Sequence, residues 1–218
     1  MKIALIVISF FIFLVAPQCG WAGDCSPLQL SFFSPYQLVP AEKDVCGLRL
    51  NLPVGENENI YGLDLGLVGA TNNSYNGIML NIFGNFNAGG STKGIELAGF
   101  MNFNIGGLNI GTEGGSGTKG IEFAGFLNLN LGDIDGIQIA GLANTGNIDG
   151  IQIAGFFNGG GEVRGVQVAG LYNSADSVRG IQIGLINVTQ ELIGLQVGLV
   201  NYIRESPVPI LPIINLKF

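Results

Sequence analysis

The phrase Gly-Ile-Gln-Ile-Ala-Gly at 136–141 returns unchanged at 150–155, and close variants of it fill most of the chain. Its first glycine recurs at Gly47, Gly62, Gly77, Gly94, Gly120, Gly136, Gly150, Gly165, Gly180 and Gly194, with intervals of 15, 15, 17, 26, 16, 14, 15, 15 and 14 residues. A short unit copied in tandem cannot bury its apolar side alone, so such a chain is bound to an architecture in which each copy lies against the next. Two blurred copies stand at the ends, 27–34 with proline in the glycine place and 209–218 as a final apolar run. That makes about twelve units with no composition break between them, read as one domain.

Each unit opens with period-two alternation, which is strand geometry. The second position is always apolar, from Leu48 to Leu195, and so is the fourth. The third position runs Arg49, Asp64, Met79, Glu96, Glu122, Gln138, Gln152, Gln167, Gln182 and Gln196, polar in every copy but one. On this pattern the apolar face is expected to seek a dry neighbour, and the column that includes Glu96, Glu122 and the five glutamines to face water or a barrel lumen. The segments between strands are rich in Asn, Gly, Asp and Ser. Asp-Gly at 135–136 and 149–150 and Asn-Gly at 76–77 are hairpin signals.

Two all-β architectures satisfy these patterns. An antiparallel meander of about twelve strands, closed into a shallow barrel, uses the reversals and removes exposed edges. It also lets a strand bulge absorb the residue lost in 180–187 relative to 165–173. A parallel β-solenoid with coils of ~15 residues instead stacks like on like and forms Gln and Asn ladders along its axis. The turn signals favour the closed barrel, so that is the expectation. The long interval from 94 to 120 contains a candidate hairpin, FNIGGLNI at 103–110, and the tract EGGSGTKG, together expected to protrude as a petal.

The first residues carry an address. Lys2, an apolar run from Ile3 to Val15 and a small-residue site ending at Ala22 have the layout of a secretory signal peptide, so residues 1–22 are expected to be removed and 23–218 to form the mature β-repeat domain. Cleavage takes Cys19 with it and leaves Cys25 and Cys46, an even pair in an oxidising compartment and the expected disulfide.

Composition narrows the chemistry. The chain has no histidine, 9 Lys plus Arg, 16 Asp plus Glu and a formal charge of −7. A nucleic-acid partner is not expected, because the basic footprint is missing. Imidazole acid–base chemistry, Ser-His or Cys-His nucleophiles and histidine metal ligands are excluded outright. The tract GGSGTKG at 114–120 lacks the Gly-Lys-Ser/Thr order of a phosphate loop. Glu96 and Glu122 occupy the same place in successive units, which suits an acid/base pair or a calcium site, but alternation makes solvated carboxylates the simpler reading. Arg49 and Asp64 are placed to pair across adjacent units. Asn102, Asn128, Asn144, Asn158 and Asn173 can satisfy backbone groups at the turns. Phe100, Phe126 and Phe156 suit a core, or the lining of an apolar ligand site if the barrel is open. No catalytic residue, metal or cofactor is assigned.

The units GIQIAGLAN, GVQVAGLYN, GIQIGLINV and GLQVGLVNY, with the leader LQLSFFSPYQLVPAEKDVCGLRLNL, resemble bacterial surface-repeat proteins with tandem G-x-Q-x-G-L-x-N units, and also sequences associated with a shallow petal-bearing barrel, the β-flower. The resemblance spans most of 23–218 and implies export to the bacterial cell envelope, with no established activity. The combined expectation is a non-enzymatic exported β scaffold or surface interaction module at the outer membrane, cell surface or periplasm. Two other roles follow from a closed barrel. One is a container for lipid or another hydrophobic ligand, and the other is an outer-membrane pore, for which the C-terminal strand ending at Ile214, Leu216 and Phe218 speaks.

Overall fold

The computed structural model describes residues 25–105 and 117–218. The expected signal peptide lies outside the described residues, as does most of the tract expected to protrude as a petal. Among the described residues fourteen strands follow one another in a single sheet: β1 (Cys25–Phe33), β2 (Tyr36–Gln37), β3 (Asp44–Asn57), β4 (Ile60–Thr71), β5 (Tyr75–Asn87), β6 (Thr92–Ala98), β7 (Met101–Asn104), β8 (Gly117–Ala124), β9 (Leu127–Ala140), β10 (Ala143–Ala154), β11 (Phe157–Ala169), β12 (Tyr172–Ile183), β13 (Ile186–Ile203) and β14 (Ile210–Lys217). From β1 to β13 the long strands pair with their neighbours in parallel, and the chain winds a β-solenoid of about 11 turns.

This overturns the closed barrel. The Asp-Gly and Asn-Gly pairs do not reverse the chain: Asp135–Gly136, Asp149–Gly150 and Asn76–Gly77 all lie inside strands. Their glycines instead turn a corner of each coil at positive φ, +149° at Gly136 and +144° at Gly150. Successive corners touch so closely that a Cβ on Gly150 would stand 2.0 Å from the carbonyl oxygen of Gly136, so only glycine fits. What reads locally as a hairpin signal is therefore a signature of tight coil stacking. The residue missing from 180–187 is lost at another corner, where Gly184–Leu185 replaces Ala169–Leu171, and the pairs Val168↔Ile183 and Tyr172↔Ile186 on either side stay in register. No bulge is needed.

The ten aligned glycines stack on one another in unbroken register, from Gly47↔Gly62 to Gly180↔Gly194. The blurred unit at the N-terminal end joins the stack through Gln29↔Arg49. The last unit does not: β14 folds back antiparallel on β13. Both ends are thereby blunted against strand addition. The terminal partner at one end is the two-residue β2, and at the other β14 carries Pro212 and an irregularity at Ile213, whose φ is +71°. Cys25 and Cys46 are joined by a disulfide between β1 and β3.

Candidate functional site

Alternation gives each GIQIA strand two faces, and the coil turns the amide face inward. The third-position column expected at a water-facing surface or lumen is the interior: Gln138, Gln152, Gln167, Gln182 and Gln196 are fully buried, as are Glu96 and Glu122. The reason is size and pairing. A coil of about 15 residues encloses a narrow space, and small residues such as Ala140, Ala154 and Ala169 fill part of it. In a parallel, in-register stack identical amides sit one strand spacing apart and satisfy one another. Gln152 Nε2 donates to Gln138 Oε1 at 2.8 Å, Gln167 to Gln152 at 2.9 Å, Gln182 to Gln167 at 2.8 Å and Gln196 to Gln182 at 2.8 Å. The larger apolar cluster runs along the remaining inward column, through Ile134, Ile148, Val163, Val178 and Leu192, and a smaller one gathers Ile60, Tyr75 and Met79.

A second ladder runs beside the first. Asn102, Asn128, Asn144, Asn158 and Asn173 are buried, and each donates to the next asparagine along the axis, from Asn102 Nδ2 to Asn128 Oδ1 at 2.9 Å through to Asn187 Nδ2 and Asn201 Oδ1 at 2.8 Å. Each amide also donates to a backbone carbonyl of its own or the following coil, as Asn144 does to Ile153 O at 2.7 Å. Backbone groups are served, but by a clamp across the coil rather than at a solvent-facing turn. Glutamine donors point toward the N-terminal end and asparagine donors toward the C-terminal end, so the dipoles of the two ladders oppose each other.

The glutamine ladder starts on a charged acceptor. Glu122 takes hydrogen bonds from Gln138 at 2.9 Å, Asn130 at 2.7 Å and Asn104 at 2.8 Å, and Glu96 lies next to it in register. Burial, and then the neighbouring Glu122 charge, push the Glu96 carboxyl up from 4.5 to about 8; burial also raises Glu122, against the pull of its amide donors. The solvated-carboxylate reading is thus corrected. The two side chains do meet, but 1% and 0% exposed, they are sealed from any substrate. Among the described residues no group of three or more acidic, His or Cys side chains is placed to hold a metal ion.

Arg49 and Asp64 do pair, and in the interior. Arg49 Nη2 lies 2.6 Å and Nε 3.0 Å from the two Asp64 oxygens, with both side chains fully buried. Asn51 and Asn81 complete the carboxylate's shell.

With the amides inside, the alternating apolar residues face out. Ten successive rungs, from Leu48 and Leu50 to Leu195 and Val197, present only Leu, Ile, Val or Phe at their two outward positions. At ~4.8 Å per rung this wall is about 45 Å long. Beside it the coil bends, and the bends stack into a ridge through backbone hydrogen bonds from Phe126 N to Phe100 O, Leu142 N to Phe126 O, Phe156 N to Leu142 O and Leu171 N to Phe156 O. The phenylalanines assigned to a core or ligand lining, Phe100, Phe126 and Phe156, therefore stand on the outside, 50%, 41% and 56% exposed. Phe100 and Phe126 are stacked, with ring centres 5.0 Å apart.

Charge collects elsewhere. The stretch before each aligned glycine carries Lys93, Lys119, Asp133, Asp135, Asp149, Glu162, Arg164 and Arg179 on its outer side. Some of these line a shallow groove of about 360 Å³. Its ion pairs, Lys119–Asp135 at 3.5 Å and Arg164–Glu162 at 3.1 Å, are largely exposed and contribute little. The candidate functional feature is consequently the apolar wall with its ridge. It was missed because the strands alternate regardless of which face turns inward. The available signal was the identity of the polar column: a water-facing column tolerates Lys, Ser or Thr, whereas an unbroken run of glutamines suits a ladder.

Scans against family models, curated proteins and solved structures find no match to this chain.

Proposed function

We propose that the chain is a non-enzymatic, exported β scaffold of the bacterial cell envelope whose apolar wall is an interaction surface. The observation that carries this reading is the uncharged wall of ten rungs. At about 45 Å by one coil face it exceeds the few hundred Å² of apolar patch that a soluble monomer ordinarily exposes. The signal-peptide layout of residues 1–22 and the resemblance to surface-repeat proteins support the address, and the Cys25–Cys46 disulfide suits an oxidising compartment. The stack supplies rigidity, since each rung is fixed to its neighbours by backbone bonds, and the rungs from Gln138 to Gln196 by two amide ladders as well. The container and pore roles both rest on a barrel lumen, and in the described solenoid the corresponding space is filled by amides.

Fractionation of bacteria expressing the full chain tests this. Recovery in the envelope, with release into the soluble fraction when wall residues Ile137, Ile151 and Val166 are changed to serine, is the expected result. A chain retained in the cytoplasm, or one whose envelope retention ignores the wall, contradicts it.

A further inference from the structure

Resting on that reading, we infer that the partner of the wall is a lipid bilayer of neutral headgroups, on which the solenoid lies flat with its ridge inserted. Two observations carry this. Apolar outward and, in nine rungs of ten, polar inward is the polarity of a β wall that faces hydrocarbon, and here the outward positions carry no charged side chain over ten rungs. Apolar exposure does not stop at the flat face, where Leu80 is 48% and Phe123 46% exposed, but continues onto the convex ridge, where Phe100 is 50%, Phe156 56% and Leu171 44% exposed. A second copy stacked face to face would cover the flat residues and leave the outer side of that ridge in water, whereas fluid acyl chains envelop a convex edge.

Charge selects the kind of lipid. The exposed charged side chains before the aligned glycines, such as Lys119, Asp135 and Arg164, lie on another side of the coil, where they stay in water when the wall is down, and neither wall nor ridge has a Lys or Arg to attract anionic headgroups. With a formal charge of −7 for the chain, attachment depends on buried apolar area and is insensitive to salt. Every strand from β3 to β13 is paired on both sides, so along the wall no unpaired strand edge has to enter the lipid.

Flotation with phosphatidylcholine vesicles tests the inference, using the chain recovered after export. The expected result is co-flotation that persists in ~1 M salt, where the screening length is only about 3 Å. The combined Phe126→Ser, Phe156→Ser and Leu171→Ser chain should float about tenfold less, in keeping with the loss of buried apolar area. Asp149→Asn, on the charged side, should float as the parent does. Because the triple variant can misfold, a Phe156→Trp chain, whose one other tryptophan, Trp21, lies in the segment expected to be removed on export, supplies a second reading: blue-shifted emission on vesicles and quenching by brominated lipid. Protein that stays at the bottom as a monomer with unshifted emission overturns the inference. So does a lipid-free dimer whose wall is protected, which would make a second copy the occupant. Wall-dependent envelope retention without flotation would leave the scaffold reading standing and remove only the lipid.

Discussion

The interior column changes character halfway along the solenoid. From Gln138 to Gln196 it is one amide repeated, each side chain donor to the rung before and, up to Gln182, acceptor from the rung after; Gln196 Oε1 ends the run without a partner. From Arg49 to Glu122 the same position holds an ion pair, a methionine and two carboxylates. Backbone register is unbroken across the change, so the main-chain stack does not depend on what fills its centre. The difference lies in how the centre is satisfied. The amide half repeats one solution that any added rung can continue, whereas the ionisable half uses partners particular to each rung, and losing one leaves a charge stranded.

The largest effect is expected where that contrast is sharpest. Asp64→Ala leaves the buried Arg49 guanidinium without its carboxylate, and removing one partner of a buried pair costs about 3–5 kcal/mol. Denaturant unfolding checks the figure, and a loss near zero would mean that water reaches Arg49. In the amide half, Gln167→Ala breaks the bonds to Gln152 and Gln182 and orphans one acceptor and one donor, for about 2–3 kcal/mol at the usual cost of buried unsatisfied groups. Equal losses at the two sites would erase the distinction.

The third test uses pH. An unfolded Glu96 carboxyl titrates near 4.5 and the folded one near 8, so in that window the folded chain holds a proton that the unfolded chain has released. The stabilising contribution is fully present below about 4.5 and is lost as pH rises through about 8. Glu96→Gln should therefore flatten the decline of Tm across this window and raise Tm at its alkaline end. An unchanged pH profile would show that Glu96 is hydrated. The same half contains Tyr75, whose phenol burial raises well above its ordinary range.

Much of the fold was legible in the sequence. The β character, the unit boundaries and the glycine column follow from period and spacing, and the structure stacks those very positions. Direction was not legible, because Asp-Gly marks a reversal in a hairpin and a corner in a coil, and only the close approach of Gly136 to Gly150 separates the two. Nor was the sense of the faces. Ile137 and Gln138 alternate equally well either way, and what decides is the narrow coil together with the hydrogen bonds available only between stacked identical amides. Phe100, Phe126 and Phe156 were misplaced for the same reason, since inverting the strand carries every apolar side chain to the outside.

Side-chain amide hydrogen exchange tests that inversion most directly. In the 15N-labelled chain the amides of Gln152, Gln167 and Gln182 should exchange orders of magnitude more slowly than that of exposed Gln190, since their exchange requires opening of the stack. Exchange of all four at the free rate would place the glutamines in water and contradict the inward ladder.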